Sequence, residues 1–146
     1  MNEANTTGSR PWHLWLIGIV SLIWNGFGVF DFLATQFQWE SYMSNFTEIQ
    51  LEYFYGLPTW QIIGWALGVW GALFGSIALL LARRIAILTF ALSLLGMLVG
   101  MANYVFSDLA REAMGQGGLI FTGVIVLIGV GLLFYARAMA KQGVLR

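Results

Sequence analysis

The sequence predicts an all-α membrane protein in which four transmembrane helices form an up-down-up-down antiparallel bundle. Composition is the first reason: of 146 residues, 59% are apolar and 10% are charged, against about 45–50% and about 25% in soluble domains. A soluble domain of this length has too much surface to hide so many apolar side chains. The second reason is the grouping of these side chains into four long stretches, and the third is the position of the basic residues between them.

Each of the four stretches is close to the roughly 20 residues that cross a bilayer, and they cover 12–35, 59–82, 85–106 and 119–139. The first follows Arg10 but is longer than the apolar core of a signal peptide, about 7–15 residues, so we interpret it as a retained span. Arg83 and Arg84 are nearly all that separates the second span from the third, which requires an antiparallel hairpin. We expect one transmembrane domain over 1–146.

A short helix is predicted in the first outer loop. Thr47 and Gln50 have the spacing of a capping box, and Gly56 fits the C-terminal stop of a helix that begins after Thr47. The pattern predicts a helix at 48–55, and its aromatic residues favour a position at the membrane interface. The second outer connection, 107–118, contains three glycines and is predicted to be a loop.

The basic residues define the predicted orientation. Six of the seven fall on one side of the membrane, at Arg10, Arg83, Arg84, Arg137, Lys141 and Arg146. By the positive-inside rule, that side and both chain termini are predicted to be cytoplasmic. Arg111 lies on the opposite, outer side, together with five acidic residues, Glu40, Glu48, Glu52, Asp108 and Glu112.

Small residues recur every three or four positions within the spans. In lipid, helices associate through close backbone approach at such residues, and this period favours left-handed crossings of roughly +20°. The predicted packing positions are Gly64, Gly68, Gly71 and Gly75 in the second span and Gly96 and Gly100 in the third.

Polar side chains within the spans are concentrated toward the outer side. Counting along the helices places Asn25, Asp31, Gln61 and Asn103 at similar heights,. Two interpretations remain open. In the first, the amide side chains form hydrogen bonds between helices. In the second, they line an outward-facing ligand recess in which Asp31 supplies the charge. In the second case, the candidate ligand-binding residues also include two aromatic residues, Trp60 and Tyr104.

No pattern indicates catalysis. The chain has no cysteine and one histidine, His13, so thiolate chemistry is excluded and a metal site lacks ligands. There is no nucleophile or phosphate-binding motif and no basic patch of the kind that binds nucleic acid. We expect a non-enzymatic protein without metal or cofactor.

The chain resembles a group of small four-helix inner-membrane proteins of Gram-negative bacteria. The resemblance lies in the run from Arg10 to Leu16, in Trp24, Asn25 and Asp31, and in Tyr42-Met43 and Tyr53-Phe54-Tyr55-Gly56. Some of these proteins carry the automatic label "sugar transporter", and they are similar to DoxX-like proteins in size and layout. The resemblance implies a bacterial inner membrane and a periplasmic outer face. The chain has no cysteine or histidine pair to support the redox association of DoxX-like proteins.

Two main functions are consistent with these observations. The first is an accessory or interaction protein of a membrane complex, which is favoured by the scarcity of ionisable groups in the spans. The alternative is an oligomeric transporter or binding protein for a small polar, sugar-like solute, which would use the outer polar and aromatic residues. A quinone- or lipid-handling enzyme is a third hypothesis, weakened by the missing redox residues. The expected partners are the bilayer and either a second copy of the chain or a larger membrane complex.

Overall fold

The computed structural model describes residues 9–146, which form helices and no strand. The helices are α1 (Trp12–Gln36), α2 (Glu40–Met43), α3 (Glu48–Tyr55), α4 (Thr59–Leu80), α5 (Ile85–Phe106) and α6 (Asp108–Lys141). Four of them, α1, α4, α5 and α6, are long and apolar enough to cross a membrane. The predicted class, an all-α membrane bundle, is therefore confirmed. Residues 1–8 of the predicted domain lie outside the described part.

Local signals account for most of the helix starts. Pro11 and Pro58 precede α1 and α4 with φ of −66° and extended ψ, and a proline there costs no helical hydrogen bond. At α3 the capping box is present: the Gln50 N–H donates to Thr47 Oγ1 at 3.4 Å, and the Thr47 N–H donates to Gln50 Oε1 at 3.0 Å. Helix α3 covers Glu48–Tyr55, as the prediction of a helix at 48–55 stated.

The prediction of a loop over 107–118 is wrong. Helix α6 begins at Asp108, because the Ser107 side chain accepts a hydrogen bond from the Ala110 N–H at 3.1 Å and caps it. Ala113, one turn later, is buried against α3. At Gly115, with φ of 60° and ψ of −168°, a kink interrupts the helix, so the break expected from the glycines occurs at this one residue. On either side of it, capping and tertiary packing outweigh the low helix propensity of glycine.

A second correction concerns the first outer loop, where the short helix α2 was not predicted. Its N-cap, Trp39, makes no side-chain cap hydrogen bond, so the sequence carries no capping signal for it. Instead, the ring of Trp39 packs edge-on against Phe30 of α1, with centroids 5.6 Å apart. Tertiary contact with α1 therefore accompanies this single turn.

The bundle has two chemically distinct ends, because the long helices alternate in direction. The basic end carries the α4–α5 turn and the C-terminus, with Arg10, Arg83, Arg84 and Arg146. The acidic end carries α2, α3 and the start of α6, with Glu40, Glu48, Glu52, Asp108 and Glu112.

Glycines bring α4 and α5 into close contact. A Cβ atom added at Gly64 would lie 2.5 Å from Val99 Cγ1, and one at Gly75 would lie 2.6 Å from the Phe90 ring. An added Cβ would also be too close at Gly96 and tight at Gly71, whereas at Gly68 it would make ordinary van der Waals contacts with Met97 of α5, the nearest at 3.5 Å. Gly100 is different, because an added Cβ there meets nothing within 4 Å. The expectation that Gly100 packs against another helix is therefore wrong.

At the basic end the bundle is tightly closed. Leu14 of α1, Leu79 of α4, Phe90 of α5 and Ala136 of α6 belong to one buried cluster. The C-terminal residues complete it: Leu145 is buried within the cluster, and the backbone of the next residue, Arg146, is hydrogen-bonded to the α4–α5 turn. The Arg146 N–H donates to the Ala82 carbonyl and the Arg84 N–H to the Arg146 carbonyl, both at 2.9 Å.

Candidate binding cavity

A cavity of about 230 Å³ lies toward the acidic end of the bundle. Its polar lining includes Asp31 of α1 and Gln61 of α4. On α4 the lining extends from Gln61 to Val69, eight residues further along the chain or about 12 Å along the helix axis. Apart from the hydroxyls of Tyr53 and Thr122, the remaining wall is apolar and is formed largely by glycines of α4 and α5 and by Met97, Phe121, Ile125 and Val126. The Thr122 hydroxyl already donates to the Gly118 carbonyl at 2.9 Å.

Helix α3 contributes to the lining next to Gln61. Its residues Tyr53 and Phe54 line the cavity, and Tyr53 packs against Ala110 and Ala113 at the start of α6. The Gln50 side chain adds a hydrogen bond from Nε2 to the Ala113 carbonyl at 3.3 Å. The early start of α6 therefore matters for the site, because its first turns hold α3 in position.

Two predicted site residues meet at the Tyr53 hydroxyl. Gln61 Nε2 donates to this oxygen at 3.0 Å, and Asn103 Nδ2 donates to it at 3.4 Å. Gln61 is only 5% exposed, and its other polar atom, Oε1, is buried without a hydrogen-bond partner among the described residues. An unsatisfied buried acceptor of this kind costs about 1–3 kcal/mol. It marks a position where a hydrogen-bond donor is missing.

Asp31 lies half-buried on the cavity wall. Its Oδ1 accepts a hydrogen bond from the Tyr42 hydroxyl of α2, and the Tyr42 ring packs edge-on against Phe30. Within residues 9–146 the one ion pair joins Arg111 to Asp108, so Asp31 has no cationic partner there. Burial, together with the hydrogen bond and charge of Asp31, raises the pKa of Tyr42 to about 12.

Asn25 lies elsewhere, so the expected convergence of all four polar residues is wrong. Its Nδ2 donates to Ser76 Oγ at 2.9 Å and to the Ala72 carbonyl at 3.3 Å, both on α4. Ser76 Oγ in turn donates to the Ala72 carbonyl. Asn25 thus makes a direct bond between helices, as the structural interpretation expected for the amides.

The two aromatic candidates take different positions. Trp60 is 50% exposed and does not line the cavity. The Tyr104 hydroxyl donates to the carbonyl of Gly115 at 3.4 Å, so this side chain contacts the single non-helical residue of α6. Neither is placed to touch a ligand in the cavity.

Sequence reasoning missed Met97 and misassigned Gly100, which both line the cavity. Gly100 follows Gly96 at the helical spacing of a packing stripe, and that spacing cannot distinguish a packed glycine from one beside an open space. Met97 lies among apolar residues of α5, where no pattern distinguishes it. An ordinary pairing count along the antiparallel helices would have placed Gly100 opposite the bulky Trp60 and Gln61, and this was the available signal.

The histidine and the acidic residues do not form a metal site among the described residues, where no group of three or more potential ligands occurs. His13 lies near the basic end, and its Nδ1 shares a hydrogen bond of 2.6 Å with the Tyr135 hydroxyl. This bond joins α1 to α6 at the opposite end of the bundle from the cavity.

Comparison with protein-family models, with characterised proteins and with solved structures finds no match to this chain. Evidence on function therefore comes from the residues that line the cavity.

Proposed function

We propose that this chain is a membrane-embedded binding protein for a small molecule that carries a polar group. The observation that supports the proposal best is Gln61, which lines the cavity and whose buried Oε1 has no hydrogen-bond partner among residues 9–146. A solely structural amide would be expected to satisfy both of its polar atoms, as buried groups usually do. A ligand that donates a hydrogen bond here would remove the cost of the unpaired atom.

The shape of the cavity supports a small ligand. A volume of about 230 Å³ far exceeds the space for one water, yet it is near the lower end of ligand pockets, which start at about 300 Å³. Polar groups stand near α3, and apolar side chains and glycines continue along α4 and α5. This arrangement favours the binding-protein alternative from the sequence, with a ligand less polar than a sugar.

We further propose a cytoplasmic basic end and a cavity near the opposite membrane surface. The positive-inside rule supports this orientation, and the resemblance noted above supports a bacterial inner membrane. Single cysteines at Gly143 and Asn45 test it with a membrane-impermeant thiol reagent in intact cells whose outer membrane is permeabilised. Labelling at Asn45→Cys but not at Gly143→Cys is expected, and the reverse pattern would overturn the orientation.

An accessory role in a membrane complex is the second candidate, and the acidic end favours it. The carboxylates of Glu40, Glu48, Glu52 and Glu112 belong to exposed residues, whereas Arg111 is paired with Asp108. Such a surface would suit a partner with a basic loop. Transport, as opposed to binding, would also require a second copy or a partner, because four helices rarely enclose a complete path.

Native mass spectrometry from mild detergent separates these functions. The wild type is expected to carry a small-molecule adduct. Gly100→Leu should abolish it, because Gly100 lines the cavity and a Cβ there meets no described atom within 4 Å, so that the added side chain should fill cavity space. Gly131→Leu is the matched control, since Gly131 is exposed on α6 and an added Cβ there also meets nothing within 4 Å. Equal adducts in both variants, or a heterologous subunit in fixed ratio with no adduct, would contradict the binding role.

A further inference from the structure

We propose that the cavity ligand is an amphipathic amine, whose ammonium group lies between Asp31 and Gln61 Oε1 and whose apolar part lies along the α4–α5 wall. The inference rests on the proposed binding function and names the chemical class of its ligand.

Gln61 and Asp31 both present acceptor atoms that lack donors. Gln61 Oε1 has no partner among residues 9–146, and within that range Asp31 receives one hydrogen bond, on Oδ1 from Tyr42. The Tyr53 oxygen already accepts from two amides. An ammonium group carries hydrogen-bond donors and no acceptor, so it matches what Gln61 and Asp31 lack.

The charge of the cavity lining also favours an amine ligand. Asp31 is a carboxylate on the wall, and no lysine, arginine or histidine lines the cavity among the described residues. A cation in the cavity would therefore meet an anion and no competing positive charge. Aromatic rings of Phe54, Trp65 and Phe121 also line the space, and aromatic faces attract cations.

The apolar lining defines the rest of the ligand. Below Gln61 the wall includes Gly64, Gly68, Gly96 and Met97, and no ionisable side chain lines it among the described residues. An alkyl or aryl group along this wall would leave the polar head at the acidic end. A sugar would place several hydroxyl groups against a wall whose one polar side chain, Thr122, already donates to the Gly118 carbonyl, and each unpaired hydroxyl would be costly.

A lipid headgroup with an ammonium group offers the same chemistry, but it brings a phosphate next to that group. Because no cationic residue lines the described cavity, the phosphate would approach Asp31 without compensation. The free amine is therefore the source we favour.

Thermal unfolding in mild detergent with four probes tests the assignment on the wild-type protein. Octylammonium is expected to bind about tenfold or more tightly than octanol, because it adds charge-assisted hydrogen bonds. Octyltrimethylammonium, which keeps the charge but has no N–H donor, should fall between them. Lysophosphatidylethanolamine should stabilise less than octylammonium, and equal stabilisation would overturn the choice of a free amine over a lipid headgroup.

Variants tie the effect to the two groups. Asp31→Asn keeps an acceptor for Tyr42 but removes the charge, and it should eliminate the preference of the protein for octylammonium over octanol. Glu52→Gln removes one exposed charge at the same end and should leave that preference unchanged. Because the wild-type series needs no variant, the test stands even where Asp31→Asn fails to fold.

The outcomes separate the two proposals. Octanol that stabilises the wild type as much as octylammonium, with both effects lost in Gly100→Leu, would overturn the amine and leave the binding function in place. Stabilisation by every probe that is equal in the wild type, Gly100→Leu and Gly131→Leu would overturn both proposals.

Discussion

The two ends of this bundle are built from the same small-residue stripes but are packed differently. At the basic end, Gly75 lies against the Phe90 ring, and the C-terminal Leu145 is buried in the core. At the acidic end, Gly100 lines an open cavity and Gln61 has an unpaired oxygen. One end is closed by apolar packing, whereas the other leaves both space and hydrogen-bonding capacity unused.

The cause of the difference lies in what faces each glycine. In the antiparallel pairing that places Gly64 against Gly96, one further turn of α5 brings Gly100 level with Trp60 and Gln61. Trp60 is turned outward and half-exposed, while Gln61 is directed to Tyr53. A stripe of small residues therefore permits close approach, but contact also requires that the facing residue fill the space.

The largest expected loss of stability is at Gly96. If it is absent, the two ends of the bundle do not differ in packing as described above. A Cβ there would lie 2.5 Å from the Gly68 backbone nitrogen, and backbone cannot move aside cheaply. Gly96→Leu should destabilise the protein by about 3 kcal/mol or more, as measured by unfolding in detergent. Gly100→Leu, one turn away, is the control and should change stability by less than about 0.5 kcal/mol. Similar losses in both variants would mean that α4 and α5 pack equally along their length.

The next effect concerns the hydroxyl at the centre of the polar cluster. Tyr53→Phe removes the oxygen that accepts from both Gln61 and Asn103, leaving buried amide donors without partners. We expect a loss of about 1–3 kcal/mol in unfolding free energy. Tyr55→Phe, at an exposed tyrosine of the same helix, should be close to neutral. A neutral Tyr53→Phe would show that the amides do not depend on this oxygen.

Asn25 sharpens the contrast between a structural amide and a ligand-binding one. Asn25→Leu loses the bonds to Ser76 and Ala72 and should cost about 0.6–2 kcal/mol, with octylammonium binding unchanged. Gln61→Leu removes the unpaired Oε1 but also the hydrogen bond from Nε2 to Tyr53, so it should cost a similar amount of stability and, unlike Asn25→Leu, also weaken octylammonium binding. The assignment of roles would be reversed if Asn25→Leu, rather than Gln61→Leu, abolished binding.

The smallest effect is an alkaline one at Tyr42. Its pKa is raised, by burial first and then by the hydrogen bond and charge of Asp31, to about 12, from about 10 for an unfolded tyrosine. Its contribution to stability is therefore complete below pH about 10 and is lost as the pH rises toward about 12. Ultraviolet titration of tyrosinate should show that Tyr42→Phe lacks the component near 12, with Tyr55→Phe as control. Loss of a component near 10 instead would contradict the contact with Asp31.

Local sequence signals were sufficient for much of the fold. Pro58 and the Thr47 capping box lie at chain positions whose backbone conformation they largely determine, so the starts of α4 and α3 were predictable. The start of α6 was not, because three nearby glycines favoured a loop while Ser107 capping and contact with Tyr53 favoured a helix. Of the two contributions that favoured a helix, only the contact with Tyr53 required knowledge of the tertiary structure.

The sequence predicted the level of the site residues along the bundle axis, but not the neighbouring helix that each side chain faces. Counting residues correctly placed Gln61 and Asn103 at one level, and they meet at Tyr53. Asn25 was misplaced because height says nothing about which neighbour a helix face contacts, and its face packs on α4. The unpaired oxygen of Gln61 and the open space beside Gly100 are properties of the assembled bundle, which periodicity within single helices does not contain.

An accessible, ligand-binding cavity at the acidic end of a bundle that is closed at its basic end predicts different reactivities at two positions of α5. The chain has no cysteine, so single cysteines on α5 report directly on this difference. Gly100→Cys is expected to react with N-ethylmaleimide in detergent and to be protected by octylammonium. Ser93→Cys, a near-isosteric change at a residue only 2% exposed, should remain unreactive. Equal reaction rates at the two positions would contradict an accessible cavity beside Gly100, and a lack of protection of Gly100→Cys would contradict ligand binding there.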